Sequence, residues 1–201
     1  MKTSYHYKPE DVACEYCVEW RHRRCQAVGG PWLTERIEAC VVSYAGAVRG
    51  LFGALHVPEL RWRLEWLIKG YNGSFWFNAE HEYNTRLLLR SVGYGAWRDP
   101  RFFAALYLFG SNRALLKRAW NACLPGGFEP GYMVIRGVFA HDYTLIQAAK
   151  TITGNGSGLE LEDLADTEAV DDTAFRLIVN ALLIANYGAD VLKLGGTEIT
   201  Y

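Results

Sequence analysis

The feature that most restricts this chain is a helical stripe of apolar residues that keeps recurring between Thr34 and Tyr187. Ile37, Cys40, Val41, Tyr44, Ala45 and Val48 form one stripe, and Leu60, Leu64, Leu67 and Ile68 a second. Phe102, Phe103, Leu106 and Tyr107 form a third, continued by Leu115, Leu116, Ala119, Trp120 and Cys123. Leu145, Ile146, Ala149 and Ile152 follow, then Phe175, Ile178, Val179 and Leu182. Steps of three and four residues put side chains on one helix face. Thr34, Asn78, Asp99, Ser111 and Asp171 or Asp172 can cap helix starts, and Pro58 and Pro100 suit first turns. Helices are therefore expected at about 34–50, 58–69, 78–92, 100–109, 111–123, 142–152 and 171–187.

The fold class is read as mainly α: a compact domain of about seven helices over residues 34–201, with short loops. A loop-rich, cysteine-containing segment, 1–33, precedes it and closes at Gly29-Gly30-Pro31. Phe75-Trp76-Phe77 reads as a short buried strand or packed loop, and residues 132–139 as a strand or a helix start. No internal repeat is visible.

Composition removes several classes. Half the residues are hydrophobic and 21% are charged, which excludes disorder over most of the chain. No apolar run reaches the ~18–20 residues needed to cross a bilayer. Met1 to Glu10 is polar and lacks the apolar stretch of a secretory signal, so a cytoplasmic location is expected. The formal charge of −1 argues against a generic DNA-coating protein.

Four of the five cysteines fall in the first forty residues, an odd total with no export signal, so reduced thiols are expected rather than a disulfide framework. Cys14-Glu-Tyr-Cys17 has the spacing that brings two thiolates onto one tetrahedral ion, and Cys25 is a third ligand candidate. His22 and Cys40 compete for the fourth position, although Cys40 also fits the apolar stripe of the first helix as a small buried residue. The segment is read either as a structural zinc staple or as a set of reduced thiols. Cys123 is expected in the core.

Charge is divided along the chain. Residues 1–150 hold 19 Lys and Arg against 13 Asp and Glu, whereas residues 151–201 hold 2 against 9. The acidic stretch from Glu160 through Glu162, Asp163 and Asp166 to Asp172 is either a solvated loop or a surface that mimics phosphates and docks on a basic partner. Arg21, Arg23 and Arg24, beside Tyr16 and Trp20, could meet nucleic acid by phosphate contact and stacking. Arg61-Trp62-Arg63 with Trp66 has a similar composition. Its two tryptophans share a helix face, which reads as core or protein interface.

Catalytic motifs are missing. There is no His-Glu-x-x-His and no Gly-x-Ser-x-Gly, and Gly154 to Gly158 lacks the Gly-Lys-Ser/Thr ending of a phosphate loop. His81 lies between Glu80 and Glu82, whose side chains would leave a helix in other directions, and His141-Asp142 reads as local capping. The chain is expected not to be an enzyme.

Residues 14–44 resemble a cysteine-rich N-terminal module of small proteins carried by mobile elements of gut Firmicutes. Cys14, Cys17, Cys25, Pro31, Leu33 and Glu35-Arg36-Ile37-Glu38-Ala39 carry the likeness. Gly30 stands where that pattern has a fourth cysteine, and Trp32 where it has tyrosine. Residues 75–190 resemble an uncharacterised helical family of the same elements through Phe77-Asn78, Glu80-His81, Ala105-Leu106-Tyr107-Leu108 and Asp171-Asp172. The resemblance implies an accessory protein that binds a host protein or nucleoprotein, in its most specific form an anti-CRISPR inhibitor of a type II nuclease. A nucleic-acid-binding regulator with a structural zinc loop is the alternative.

Overall fold

Apolar stripes set where the helices lie; Ser43, Asn78, Asp99, Asn112 and Asp171 cap five of them, whereas those starting at Leu33, Pro58 and Ala140 have no side-chain cap. The computed structural model describes residues 6–14, 17, 20, 21, 24, 25, 32–156 and 158–195. Among these lie nine α-helices: α1 (Leu33–Glu38), α2 (Tyr44–Phe52), α3 (Pro58–Lys69), α4 (Ala79–Val92), α5 (Pro100–Phe109), α6 (Arg113–Ala119), α7 (Ala140–Thr153), α8 (Leu161–Ala165) and α9 (Asp172–Tyr187). Two antiparallel ribbons of two residues per strand accompany them. Strand β1 (Trp20–Arg21) pairs with β2 (Arg24–Cys25), and β3 (Cys123–Leu124) with β4 (Gly127–Phe128). The protein is mainly helical, as its periodicity predicts. Among the described residues no helix is long and apolar enough to cross a membrane.

Helix α5 is the axis of the fold. Asp99 caps it by accepting hydrogen bonds from the Arg101 and Phe102 amides at 3.0 and 3.1 Å, and Pro100 occupies its first turn. Every residue from Phe102 to Phe109 is buried. A helix apolar on all sides belongs inside a protein, and α5 is packed by α9, α7 and α4. Gly110 ends it against α4, where a Cβ would lie 2.8 Å from the Thr85 backbone nitrogen. Helix α9, capped by Asp171 through the Thr173 and Ala174 amides at 2.9 Å, supplies the opposite wall with Phe175, Leu177, Ile178 and Val179.

Four expectations are corrected. The helix expected at 34–50 is two helices, because Cys40 adopts a left-handed conformation (φ 57°) and Ser43 opens α2 by accepting the Gly46 amide. Cys40 is consequently exposed, not buried on a helix face, and its thiol lies 3.8 Å from the Glu38 carbonyl. Cys123 is buried, as expected, but on β3, since α6 stops at Ala119. The cap of α6 is Asn112, which accepts the Leu115 amide, rather than Ser111.

Candidate functional site

The cysteine segment is only partly within the described residues. Cys14 and Cys17 are free thiols, half-buried, and the Cys17 amide donates to the Cys14 carbonyl at 3.1 Å, closing the turn that their spacing predicts. His22 and Arg23 lie outside the described residues, as do the side chains of Arg21, Arg24 and Cys25. Among the described residues no three His, Cys, Asp or Glu side chains gather where a metal could be held. Cys40 sits beyond α1 rather than beside the Cys14–Cys17 turn in sequence.

The acidic stretch has a definite shape, and the residue that gives it one is Arg63. Arg63 belongs to the basic-aromatic run with Arg61, Trp62 and Trp66, yet its side chain is only 4% exposed. Its Nη1 donates to the carbonyls of Leu164 (2.8 Å) and Asp166 (3.2 Å). Its Nη2 donates to the Val170 carbonyl (2.8 Å) and to Asp172 Oδ1 (3.1 Å). The guanidinium carbon rests 4.1 Å from the centre of the Phe175 ring, a cation–π contact. One arginine fork thus gathers the backbone from α8 to the start of α9. With its carbonyls turned inward, the segment leaves its carboxylates outward: Glu160, Glu162, Asp166 and Glu168 are exposed and make no ion pair among the described residues. Asp163 closes the start of α8 on the Glu160 amide.

Beside this segment, α3 presents Trp62 and Trp66, which are 63% and 61% exposed with ring centres 5.9 Å apart. The two indoles, Leu67 and Phe175 border an open cavity of about 470 Å³ whose other side carries Thr167, Asp172 and Arg176. Arg176 is itself tied down, donating to the Ser74 carbonyl at 3.0 Å and to Asn72 Oδ1 at 3.3 Å. The result is an aromatic surface on which Asp172 is the one lining carboxylate, with Asp166 and Glu168 flanking the lining Thr167 in the chain. A second exposed apolar run, Tyr132, Val134, Ile135 and Phe139, follows β4; Arg118 fastens it through the carbonyls of Val134, Arg136 and Gly137.

The titratable groups most displaced from their ordinary values lie inside the fold. His81 is fully buried, with Nδ1 accepting the Phe77 amide (3.1 Å) and Nε2 donating to the Tyr107 carbonyl (2.8 Å). Burial pushes its pKa down to about 4, against the opposing pull of the Tyr107 carbonyl, so the ring is neutral. Tyr107 donates to the Phe75 carbonyl, Asn180 donates to Tyr107 Oη and to Phe75, and Tyr44 donates to Asn180 Oδ1 at 2.8 Å. Burial raises the pKa of both tyrosines. Each of these groups is satisfied by a neighbour across the core, which makes the cluster a fastening between α2, α4, α5 and α9. His141 and Asp142 do not cap locally. His141 Nδ1 lies 2.6 Å from Asp171, and Asp142 accepts from Asn112 at 2.8 Å, so the two link α7 to the starts of α9 and α6.

No family model, no curated protein and no solved structure matches this chain.

Proposed function

We propose that this chain is a non-catalytic binding protein whose docking face is the Trp62–Trp66 stripe with the acidic segment beside it, and whose partner is a host protein or nucleoprotein with a basic surface. The observation that carries the reading is the pair of indoles, more than 60% exposed, at the edge of a cavity walled by the Arg63-anchored acidic segment. Tryptophan is enriched where binding energy concentrates, and a pre-shaped backbone lowers the ordering cost of association. Exposed carboxylates on the adjoining segment, which packs against α3, steer a cationic partner toward the aromatic centre. The α3 face is preferred to the Tyr132–Phe139 run because its two indoles border a cavity.

The most specific form of the proposal is inhibition of a type II CRISPR nuclease, which rests on the resemblance to mobile-element accessory proteins. Such nucleases hold their heteroduplex in a positively charged channel, a surface of the sign that this face complements. The test is guided DNA cleavage with the protein added before or after guide loading, together with direct binding to the nuclease. The expected result is dose-dependent protection that falls at least tenfold for the Trp62→Ala, Trp66→Ala double variant. Neutralising Glu162, Asp166 and Glu168 slows association and flattens its salt dependence. Undiminished protection by the double variant refutes the face, and absence of protection by the wild-type chain refutes the nuclease as partner.

The alternative reading, a nucleic-acid-binding regulator with a structural zinc at Cys14, Cys17 and Cys25, draws support from the β1–β2 register, which sets Arg21 opposite Arg24. It requires binding that weakens with salt and is lost when Arg21, Arg23 and Arg24 are neutralised.

A further inference from the structure

A second groove shares no lining residue with the α3 face. It lies between α4 and α6, encloses about 670 Å³, and has Leu87 and Leu116 among its apolar lining. Tyr83 and Trp120 contribute exposed rings, 64% and 41% accessible. Arg113 and Lys117, one turn apart on α6, line the same groove, are exposed, and make no ion pair among the described residues. Glu80 is the one carboxylate lining it.

Each element of this arrangement narrows the ligand. An apolar floor between two aromatic rings accepts a flat, weakly polar body, and the volume falls in the range of ligand-sized clefts. Two cations one helical turn apart, without ion-pair partners among the described residues, call for anionic groups that repeat along a ligand. The backbone and bases of a single strand combine both properties: phosphates meet cations while bases stack on aromatic side chains, with little sequence preference. A duplex does not satisfy the rings, because its bases are already stacked. Glu80 limits the contacts to the α6 side of the groove.

We propose that the α4–α6 groove binds a short single-stranded nucleic-acid segment, with Arg113 and Lys117 on phosphates and Tyr83 and Trp120 against bases. The inference stands independently of the α3 docking face, from which it differs in residues and ligand class. Together the two surfaces would suit a partner that is itself a nucleoprotein.

The test is fluorescence anisotropy of the full chain with a labelled ten-nucleotide oligothymidine, titrated over a range of salt, beside the same oligonucleotide annealed to its complement. Expected is binding to the single strand in preference to the duplex. The Arg113→Gln, Lys117→Gln variant should lower the magnitude of the log K against log salt slope by about 1.4, two phosphate contacts at about 0.7 each. Tyr83→Ala or Trp120→Ala should weaken binding about tenfold at fixed salt, while Trp120→Phe, which keeps a ring, retains most of the affinity. Both rings are exposed enough for these changes to leave the fold intact, which circular dichroism verifies. Absence of binding at low salt overturns the proposal. So does binding that survives all four groove substitutions and is abolished by neutralising Arg21, Arg23 and Arg24, or binding that prefers duplex and ignores both rings.

Discussion

Replacing Arg63 by methionine separates two accounts of the acidic segment. Methionine keeps much of the side-chain volume on α3 and removes the guanidinium alone. Four hydrogen bonds are lost, three to backbone carbonyls and one to Asp172. Hydrogen bonds from charged donors contribute roughly 1.5–3 kcal/mol each, but the sum overstates the effect. The Asp172 side chain is 94% exposed, so its bond is that of a surface pair and is worth at most about 1 kcal/mol. Arg63 Nε is buried with no partner among the described residues, which already costs stability in the wild-type chain. The released carbonyls can also recover water once the segment loosens. A net loss of about 3 kcal/mol follows, within the range for breaking a buried charged contact. Urea unfolding monitored by circular dichroism measures it, and native-state hydrogen exchange should show faster exchange at the amides of residues 164–171 than in α5. Asp172→Asn should shift stability by less than about 1 kcal/mol. A methionine variant within 0.5 kcal/mol of wild type, as unaltered surface changes are, with unchanged exchange, would refute the anchoring role and return the acidic segment to a solvated loop.

Two further predictions concern the core. His81 titrates near 4 in the folded chain and near 6.5 when unfolded. The unfolded state therefore takes up the proton first as pH falls, and stability declines from about pH 6.5 downward, by about 2 kcal/mol at pH 5. Urea midpoints at pH 7 and pH 5 should differ accordingly in the wild-type chain and much less in His81→Gln; equal slopes in the two would disprove the assignment. Gly110→Ala drives a methyl against the Thr85 backbone and should cost 1–3 kcal/mol, seen as a lowered thermal midpoint, whereas an unchanged midpoint would mean that α4 and α5 have room to separate.

What was legible in the sequence was local. Asn78, Asp99 and Asp171 cap helices as their types and positions indicate, because a cap needs only a side-chain oxygen two or three residues ahead of an open amide. The Cys14–Cys17 turn is legible for the same reason. What escaped was decided over long range. Arg63 reads only as part of a basic-aromatic run because its partners lie about a hundred residues away. His81 reads as a residue unpaired with the glutamates beside it, and nothing local shows that the ring turns inward to a carbonyl on α5. The exposure of Trp62 and Trp66 escaped too, since spacing shows that two indoles share a face but not which face the fold turns outward. The break at Cys40 carried no composition signal, a left-handed cysteine being uncommon.

The burial of α5 on all sides has a consequence for biosynthesis. The helix is complete at Phe109, but the wall that α9 builds against it ends at Tyr187, about 80 residues later. At ribosomal speeds of about 5–20 residues per second, the run Phe102–Phe109 waits roughly 4–16 s for its cover. During that interval the nascent chain carries an apolar helix with no permanent neighbour on the α9 side. The expected consequence is that this apolar stretch is exposed to other hydrophobic surfaces until α9 has been made.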